Sequence, residues 1–339
     1  MSITATDIQQ ALQAALKEAK NNTELLEKTA IYNPWFTPTQ SLKALESWEI
    51  SMNQYREWLA KESIEDQILF SEKTVGVITA GNLPLVGLHD IICVLITGHR
   101  AKIKPSSQDN ILLKFIVTTL LSHLPELNSR IEFTDGFIKD ADAYIGTGSN
   151  NSARYFAYYF NQKPHIIRKN RNSVAIVTNE TTTTEFGLLG EDIFTFFGMG
   201  CRNVTHLFVP KSFNFTPLFE SWQHHYDMIN HHKYANNYTY HKAILLMNLD
   251  KHMDNGFILL KENEAIHAPV SMLNFSYYAE IDGLLKELEA KTQEIQCIVG
   301  PANIVKTAEN IIPFGQSQKP ALWDYADNIN TISFLKQLV

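Results

Sequence analysis

Residues 74–84 read TVGVITAGNLP. A short apolar run without polar alternation is the pattern of a strand buried on both faces. The Gly81-Asn82-Leu83-Pro84 that follows is turn chemistry. Downstream the pattern repeats. Residues 85–97 read as an apolar helix, 101–104 as a strand, 110–124 as a helix, and 131–134 and 143–145 as strands. A helix over 152–160 and a strand over 173–178 complete the series. Strands alternating with helices predict an α/β fold with a parallel sheet covered on both faces. Ligands of such sheets gather at the carboxyl ends of the strands. Three candidate ends are Ala80-Gly81-Asn82, Lys104-Pro105-Ser106 and Gly146-Thr147-Gly148-Ser149.

Upstream, residues 5–20 carry Ile8, Leu12, Ala15 and Leu16 at helical spacing. Thr37-Pro38-Thr39-Gln40 is a helix start, with Thr37 as N-cap and Pro38 at the first helical position; this helix is predicted to run to about residue 61. A second unit begins near Thr184 with a helix over 185–196 and a strand over 204–209. Between them lies Phe197-Gly198-Met199-Gly200-Cys201-Arg202-Asn203. Glycine lets a substrate carbonyl approach the backbone, and an N–H beside the sulfur can hold a developing oxyanion. Cys201 is therefore a candidate nucleophile, although most free cysteines are small buried hydrophobes. Cys93 and Cys297 read as core.

The 339 residues suffice for two domains, and the net charge of −7 with no basic run argues against nucleic acid as the main partner. The N-terminus is not of secretory type and no apolar segment is long enough to span a bilayer. Three scattered cysteines give neither a disulfide framework nor a zinc pattern, so a cytoplasmic protein is expected. His224, His225, His231, His232 and His241 form a histidine cluster that raises the question of a metal site. The heptad pairs are two helical turns apart and adjacent histidines diverge on a helix, so no metal is expected.

The ordered set Gly81-Asn82-Leu83-Pro84, Lys104-Pro105-Ser106, Thr147-Gly148-Ser149 and Gly200-Cys201 resembles the aldehyde dehydrogenase superfamily. Within it the chain is most similar to the acyl-CoA reductase branch, which includes the fatty acyl reductase of bacterial bioluminescence. Asn33-Pro34-Trp35-Phe36-Thr37 and Asp324-Tyr325-Ala326-Asp327 share that likeness, which covers nearly the whole chain. The resemblance implies an aldehyde-dehydrogenase-like α/β fold with a parallel-sheet dinucleotide-binding lobe and an α/β catalytic lobe. The boundaries expected are 1–183 for the helical N-terminus and dinucleotide domain, 184–308 for the cysteine domain, and 309–339 for a tail packing back or onto a partner subunit.

The same resemblance implies roles. Asn82 would donate its amide to the substrate oxygen, and Cys201 would carry the acyl group. Lys104, Ser106, Ser107, Thr147, Gly148 and Ser149 would bind the cofactor. Many relatives that prefer NAD carry a glutamate two residues after the proline; here that residue is Ser107, which would not repel a 2′-phosphate. NADPH is expected, with NADH possible. Gly146-Thr147-Gly148 alone is not a G-x-G-x-x-G fingerprint.

Aldehyde-oxidising members carry a water-activating glutamate just before the strand read here at 173–177. The corresponding position is Arg168, in Ile167-Arg168-Lys169-Asn170-Arg171-Asn172. Without a base there a Cys201 thioester would hydrolyse slowly, although Glu185 and Glu191 remain candidate distant bases. Arg168, Lys169 and Arg171 could bind phosphates or be solvated surface. The activity implied is reduction of a medium- or long-chain acyl-CoA, or acyl-carrier thioester, to a fatty aldehyde. The alternatives are a CoA-acylating aldehyde dehydrogenase and a non-reducing acyl-transferring or scaffold relative. A homo-oligomer, a homodimer in the first instance, is implied by resemblance.

Overall fold

The structure, a computed structural model, describes residues 3–305 and 311–338. The domain boundary expected at 308/309 lies outside the described residues. The chain forms two compact units, Met1–Asn170 with Pro320–Val339, and Arg171–Lys319.

The first unit opens with helix α1 (Ala5–Lys20), capped by Thr4 and Asp7 in a reciprocal capping box. Its buried stripe includes Ile8, Leu12, Ala15 and Leu16, the spacing that predicted it. Helix α2 (Thr23–Tyr32) follows. Helix α3 (Pro38–Met52) starts where Thr37 accepts the Gln40 N–H at 3.3 Å. The single helix predicted to residue 61 is two. Bonds from Asn53 and Gln54 back to Ile50 and Ser51 tighten the end of α3, and α4 (Tyr55–Lys61) restarts with Tyr55, Trp58 and Leu59 buried.

The sheet comprises β1 (Thr74–Ile78), β2 (Arg100–Lys104), β3 (Ile131–Phe133), β4 (Ala143–Thr147) and β5 (His165–Arg168). Their order is β3-β2-β1-β4-β5, and every pairing is parallel. Helix α5 (Leu88–Ile96) links β1 to β2, α6 (Leu112–His123) links β2 to β3, and α7 (Asn150–Phe160) links β4 to β5. The winding reverses between β1 and β4, the crevice where doubly wound sheets bind ligands. Residues 320–338 complete this unit. Trp58 Nε1 donates to the Tyr325 hydroxyl at 2.8 Å and His99 Nε2 donates to the Leu335 carbonyl at 3.0 Å. Leu322, Ile332 and Leu335 join the main apolar core.

The second unit contains β6 (Asn172–Ile176), α8 (Thr183–Phe194), β7 (Val204–Pro210), α9 (Thr216–Ser221) and α10 (His232–Met247). Strands β8 (Met253–Asp254), β9 (Leu259–Glu262) and β10 (Met272–Tyr278) follow. Then come α11 (Ile281–Ala290), β11 (Ile295–Gly300), α12 (Ala302–Val305) and β12 (Ile311–Pro313). The sheet order is β12-β11-β6-β7-β10-β9-β8, parallel except for β8 against β9. The second unit thus starts at Arg171 rather than near Thr184. The reason is that β6 pairs with β7 and β11, so its ladder belongs to this sheet. The stretch from 309 likewise divides: Ile311–Pro313 is an edge strand here, whereas Pro320 onward belongs to the first unit. No helix among the described residues is long and apolar enough to cross a membrane.

Candidate active site

Helix α8 ends at Phe194, and the chain reaches Cys201 through a tight turn. Phe196 (φ 55°, ψ 30°) and Phe197 (φ 57°, ψ 23°) are both left-handed, followed by Gly198 at φ 76°. Each non-glycine residue in that conformation costs on the order of 1–2 kcal/mol, so the turn must be held by something else. Asn203, wholly buried, does this. Its Oδ1 accepts the Gly200 N–H at 2.7 Å, and its Nδ2 donates to the carbonyls of Asp192, Ile193 and Thr195 at 3.1, 3.2 and 2.8 Å.

Cys201 is half-buried on this turn. Its carbonyl accepts the Ser173 hydroxyl at 3.0 Å. The same Ser173 oxygen lies 2.9 Å from Cys297 Sγ and accepts the Cys297 N–H at 3.3 Å. A hydroxyl has one proton, and a carbonyl can only accept, so the Cys297 thiol is the donor to Ser173. That agrees with its acidity: burial pushes the Cys297 thiol up to about 11, with Arg202 pulling in the opposite direction. Cys297, read from sequence as plain core, is a protonated thiol tied into the Cys201 turn. Asp192 is buried as well. Burial pushes its carboxyl up to about 6, while the N–H groups of Gly315 and Ser317 donate to it at 2.6 and 2.9 Å. Asn203 stands two residues from Cys201 and could have been suspected from sequence; Ser173 carried no such signal.

In the first unit, the residues assigned to cofactor binding share the carboxyl edge of the sheet. Asn82 is exposed in the turn after β1. That turn is anchored by Asp109, whose Oδ2 accepts the Leu85 N–H at 2.7 Å, with Leu85 at φ 64°. Burial pushes the Asp109 carboxyl up to about 7. Gly81 packs against the loop after β2: a Cβ there would lie 2.7 Å from Ser106 Cβ and 2.9 Å from Gln108 Cβ. The Ser106 N–H donates to Thr79 Oγ1 at 3.1 Å, joining the two loops. Lys104 ends β2 with its ammonium 5.1 Å above the Phe137 ring, and Ser107 is exposed.

Thr147 is the last residue of β4, in register with Arg168, rather than part of a glycine loop. Gly148 follows; a Cβ there would sit 2.8 Å from Ser152 Cβ. Ser149 caps α7 by accepting the Ser152 N–H at 3.2 Å. The structure therefore brings Asn82, Lys104, Ser106, Ser107, Thr147, Gly148 and Ser149 to one edge of one sheet. Cys201 belongs to the other unit.

The basic cluster divides. Arg168 ends β5 and is buried, with Nη1 donating to Asp90 Oδ2 at 2.5 Å and Nη2 to Thr331 Oγ1 at 2.7 Å. It is neither a phosphate ligand nor solvated surface. Arg171 Nη1 donates to the Thr292 carbonyl at 2.9 Å, and Lys169 is exposed. Of the candidate bases, Glu185 is engaged in the α8 capping box, accepting the Thr182 N–H at 2.9 Å. The helix expected to carry His224 through His232 is interrupted: Gln223–Asn230 is 3-10 helix and His231 is the N-cap of α10. The rings of His224 and His225 do not diverge; their centroids are 3.9 Å apart.

No protein-family model matches the sequence, and no curated protein matches it either. Solved structures do match. PutA of Anabaena variabilis, assigned as an aldehyde dehydrogenase, superposes with a TM-score of 0.68 at 15% identity, covering 92% of this chain and 80% of its own. Aldehyde dehydrogenase 21 of Physcomitrella patens, solved with its product succinate, gives a TM-score of 0.70 at 12% identity, covering 99% and 84%. The fold is that of the aldehyde dehydrogenases. The indole-3-acetaldehyde dehydrogenase AldA of P. syringae, solved with NAD+, gives a TM-score of 0.63 at 14% identity, covering 89% and 73%. At these identities the likeness is one of fold.

Proposed function

We propose that the protein reduces a medium- or long-chain acyl-CoA, or an acyl-carrier thioester, to the aldehyde, with NADPH as reductant and Cys201 as nucleophile. The observation that carries the reductive reading is the engagement of the carboxylates of α8, where Glu191, beside the cysteine turn, accepts the Thr195 hydroxyl at 3.3 Å. Glu185 serves a helix cap and Asp192 holds two backbone N–H groups. Arg168, at the position where the resemblance would put a water-activating glutamate, is buried against Asp90. A thioester formed on Cys201 then lacks a dedicated base to hydrolyse it, and persists for reduction.

The roles follow from the chain's own groups. The Cys201 thiolate attacks the acyl carbonyl, and the thiol of the donor leaves. The Cys201 N–H stabilises the oxyanion, and the resemblance gives the Asn82 amide the same role. After reduction the thiohemiacetal on Cys201 collapses, releasing aldehyde and regenerating the thiolate. The carboxyl edge of the first sheet fits a dinucleotide. Gly81 and Gly148 let the loops pack where a Cβ would clash with Ser106, Gln108 and Ser152, and the start of α7 offers backbone N–H groups to phosphate. Lys104 and Ser107 favour a 2′-phosphate over a bare ribose. When bound, the nicotinamide would supply the hydride.

The test is single-turnover NADPH oxidation with a panel of acyl-CoAs, comparing wild type with Cys201→Ala. Aldehyde formation that is lost in the variant supports the reductase. Acylation of Cys201 without NADPH consumption would instead favour an acyl-transferring protein.

A further inference from the structure

The second unit holds a cluster that the reduction does not use. Glu191 on the last turn of α8 and the adjacent His224 and His225 place one ligand atom each within 4.8 Å of one another. His225 Nε2 lies 3.8 Å from Glu191 Oε1. In a tetrahedral zinc site with bonds near 2.0–2.1 Å, ligand atoms are roughly 3.3 Å apart. Closing the cluster onto an ion therefore needs only side-chain adjustment. We propose that Glu191, His224 and His225 bind one divalent transition-metal ion of the zinc class, with solvent completing its coordination.

Two features beyond proximity support this. The glutamate is oriented: the Thr195 hydroxyl donates to Oε2 at 3.3 Å, turning Oε1 toward His225. A neighbour that fixes a ligand in this way is characteristic of built metal centres. The histidine is seated: its ring packs 4.6 Å from Phe194, and a Cβ on Gly190 would come within 2.9 Å of Nε2. The 3-10 segment carrying both histidines is tied to α8 by Trp222, whose Nε1 donates to the Phe186 carbonyl at 2.9 Å. Two imidazoles and one carboxylate suit zinc, nickel or copper better than calcium or magnesium.

The test is titration of the metal-free full-length protein with Co2+, followed by visible absorption, and with Zn2+ against a chromogenic chelator. One equivalent should bind. Glu191→Gln and His224→Asn should each weaken binding at least 10-fold, while His231→Asn and His232→Asn leave it unchanged. His224 is exposed and Glu191 partly so, and thermal melts of the variants are the check that each of them folds. Absence of saturable binding would overturn the proposal. So would binding indifferent to Glu191→Gln and His224→Asn, or a sulfur-to-cobalt charge-transfer band marking capture by a thiolate.

Discussion

The side-chain oxygen of Asn203 accepts the Gly200 N–H at 2.7 Å, which fixes the residue immediately before Cys201. The same side chain closes three carbonyls at the end of α8, so it offsets the cost of two left-handed phenylalanines. Asn203→Ala should destabilise the protein by about 2–4 kcal/mol, since several buried groups lose their partner at once. Urea unfolding measures this. Alkylation of Cys201 by a small electrophile should become slower in the variant at a temperature where it remains folded.

Asp192 supplies a pH dependence. Its carboxyl is pushed up by burial to about 6 from an ordinary value of 3.8. The native state therefore holds its proton to higher pH than the unfolded chain does. Between about pH 4 and pH 6 the native state binds more protons, so this contribution favours folding at low pH and is lost as pH rises through 6. Asp192→Asn should flatten that part of the stability profile. Denaturant midpoints at pH 4.5 and pH 7 for the two proteins decide it; parallel slopes would reject the assignment.

Arg168 and Asp90 make a buried pair at 2.5 Å. Arg168→Met leaves an unpaired carboxylate in the core and should cost about 3–5 kcal/mol. The double variant Arg168→Met/Asp90→Leu should recover most of the loss. A phosphate-binding arginine would behave otherwise, with NADPH affinity falling in both variants; here the double variant should bind NADPH as wild type does.

Ser107 is exposed beyond β2, beside Lys104 in sequence. If the edge accepts a 2′-phosphate, Ser107→Glu should lower kcat/KM for NADPH at least 10-fold and spare NADH, because the new carboxylate repels phosphate and accepts from a ribose hydroxyl. Steady-state kinetics with both coenzymes gives the ratio. An unchanged ratio would place the adenosine elsewhere.

The alternation of strands and helices from residue 74 was legible because buried parallel strands such as Thr74–Ile78 leave a continuous apolar run. The α1 stripe was equally clear. Strand β5 escaped notice because His165–Arg168 is short and flanked by Pro164 and Lys169, and its end reads as a basic surface cluster. Only the fold brings Asp90 beside Arg168 across 78 positions, and no local pattern encodes that. The break between α3 and α4 carries no proline or glycine to announce it. At the candidate site, Cys201 and its glycines stood out, whereas Ser173 and Cys297 are joined to it through strands distant in sequence. Helical spacing sets the backbones of His224 and His225 on diverging directions, yet their rings lie with centroids 3.9 Å apart, a side-chain arrangement that periodicity does not encode.

The first unit is closed by residues from 320 onward, while Arg171–Lys319 is contained within one continuous stretch. On the ribosome, residues 320–338 emerge after that entire stretch. The order of maturation is then inverted with respect to the order of synthesis. The cysteine-bearing unit has all its strands available first, and the nascent N-terminal sheet waits for Tyr325, Thr331 and Leu335 before Trp58, Arg168 and His99 find their partners. A translational arrest between 320 and 338 would release a chain with a finished second unit and an unsealed first one. Such a chain exposes unsealed apolar surface and is a natural client for chaperones.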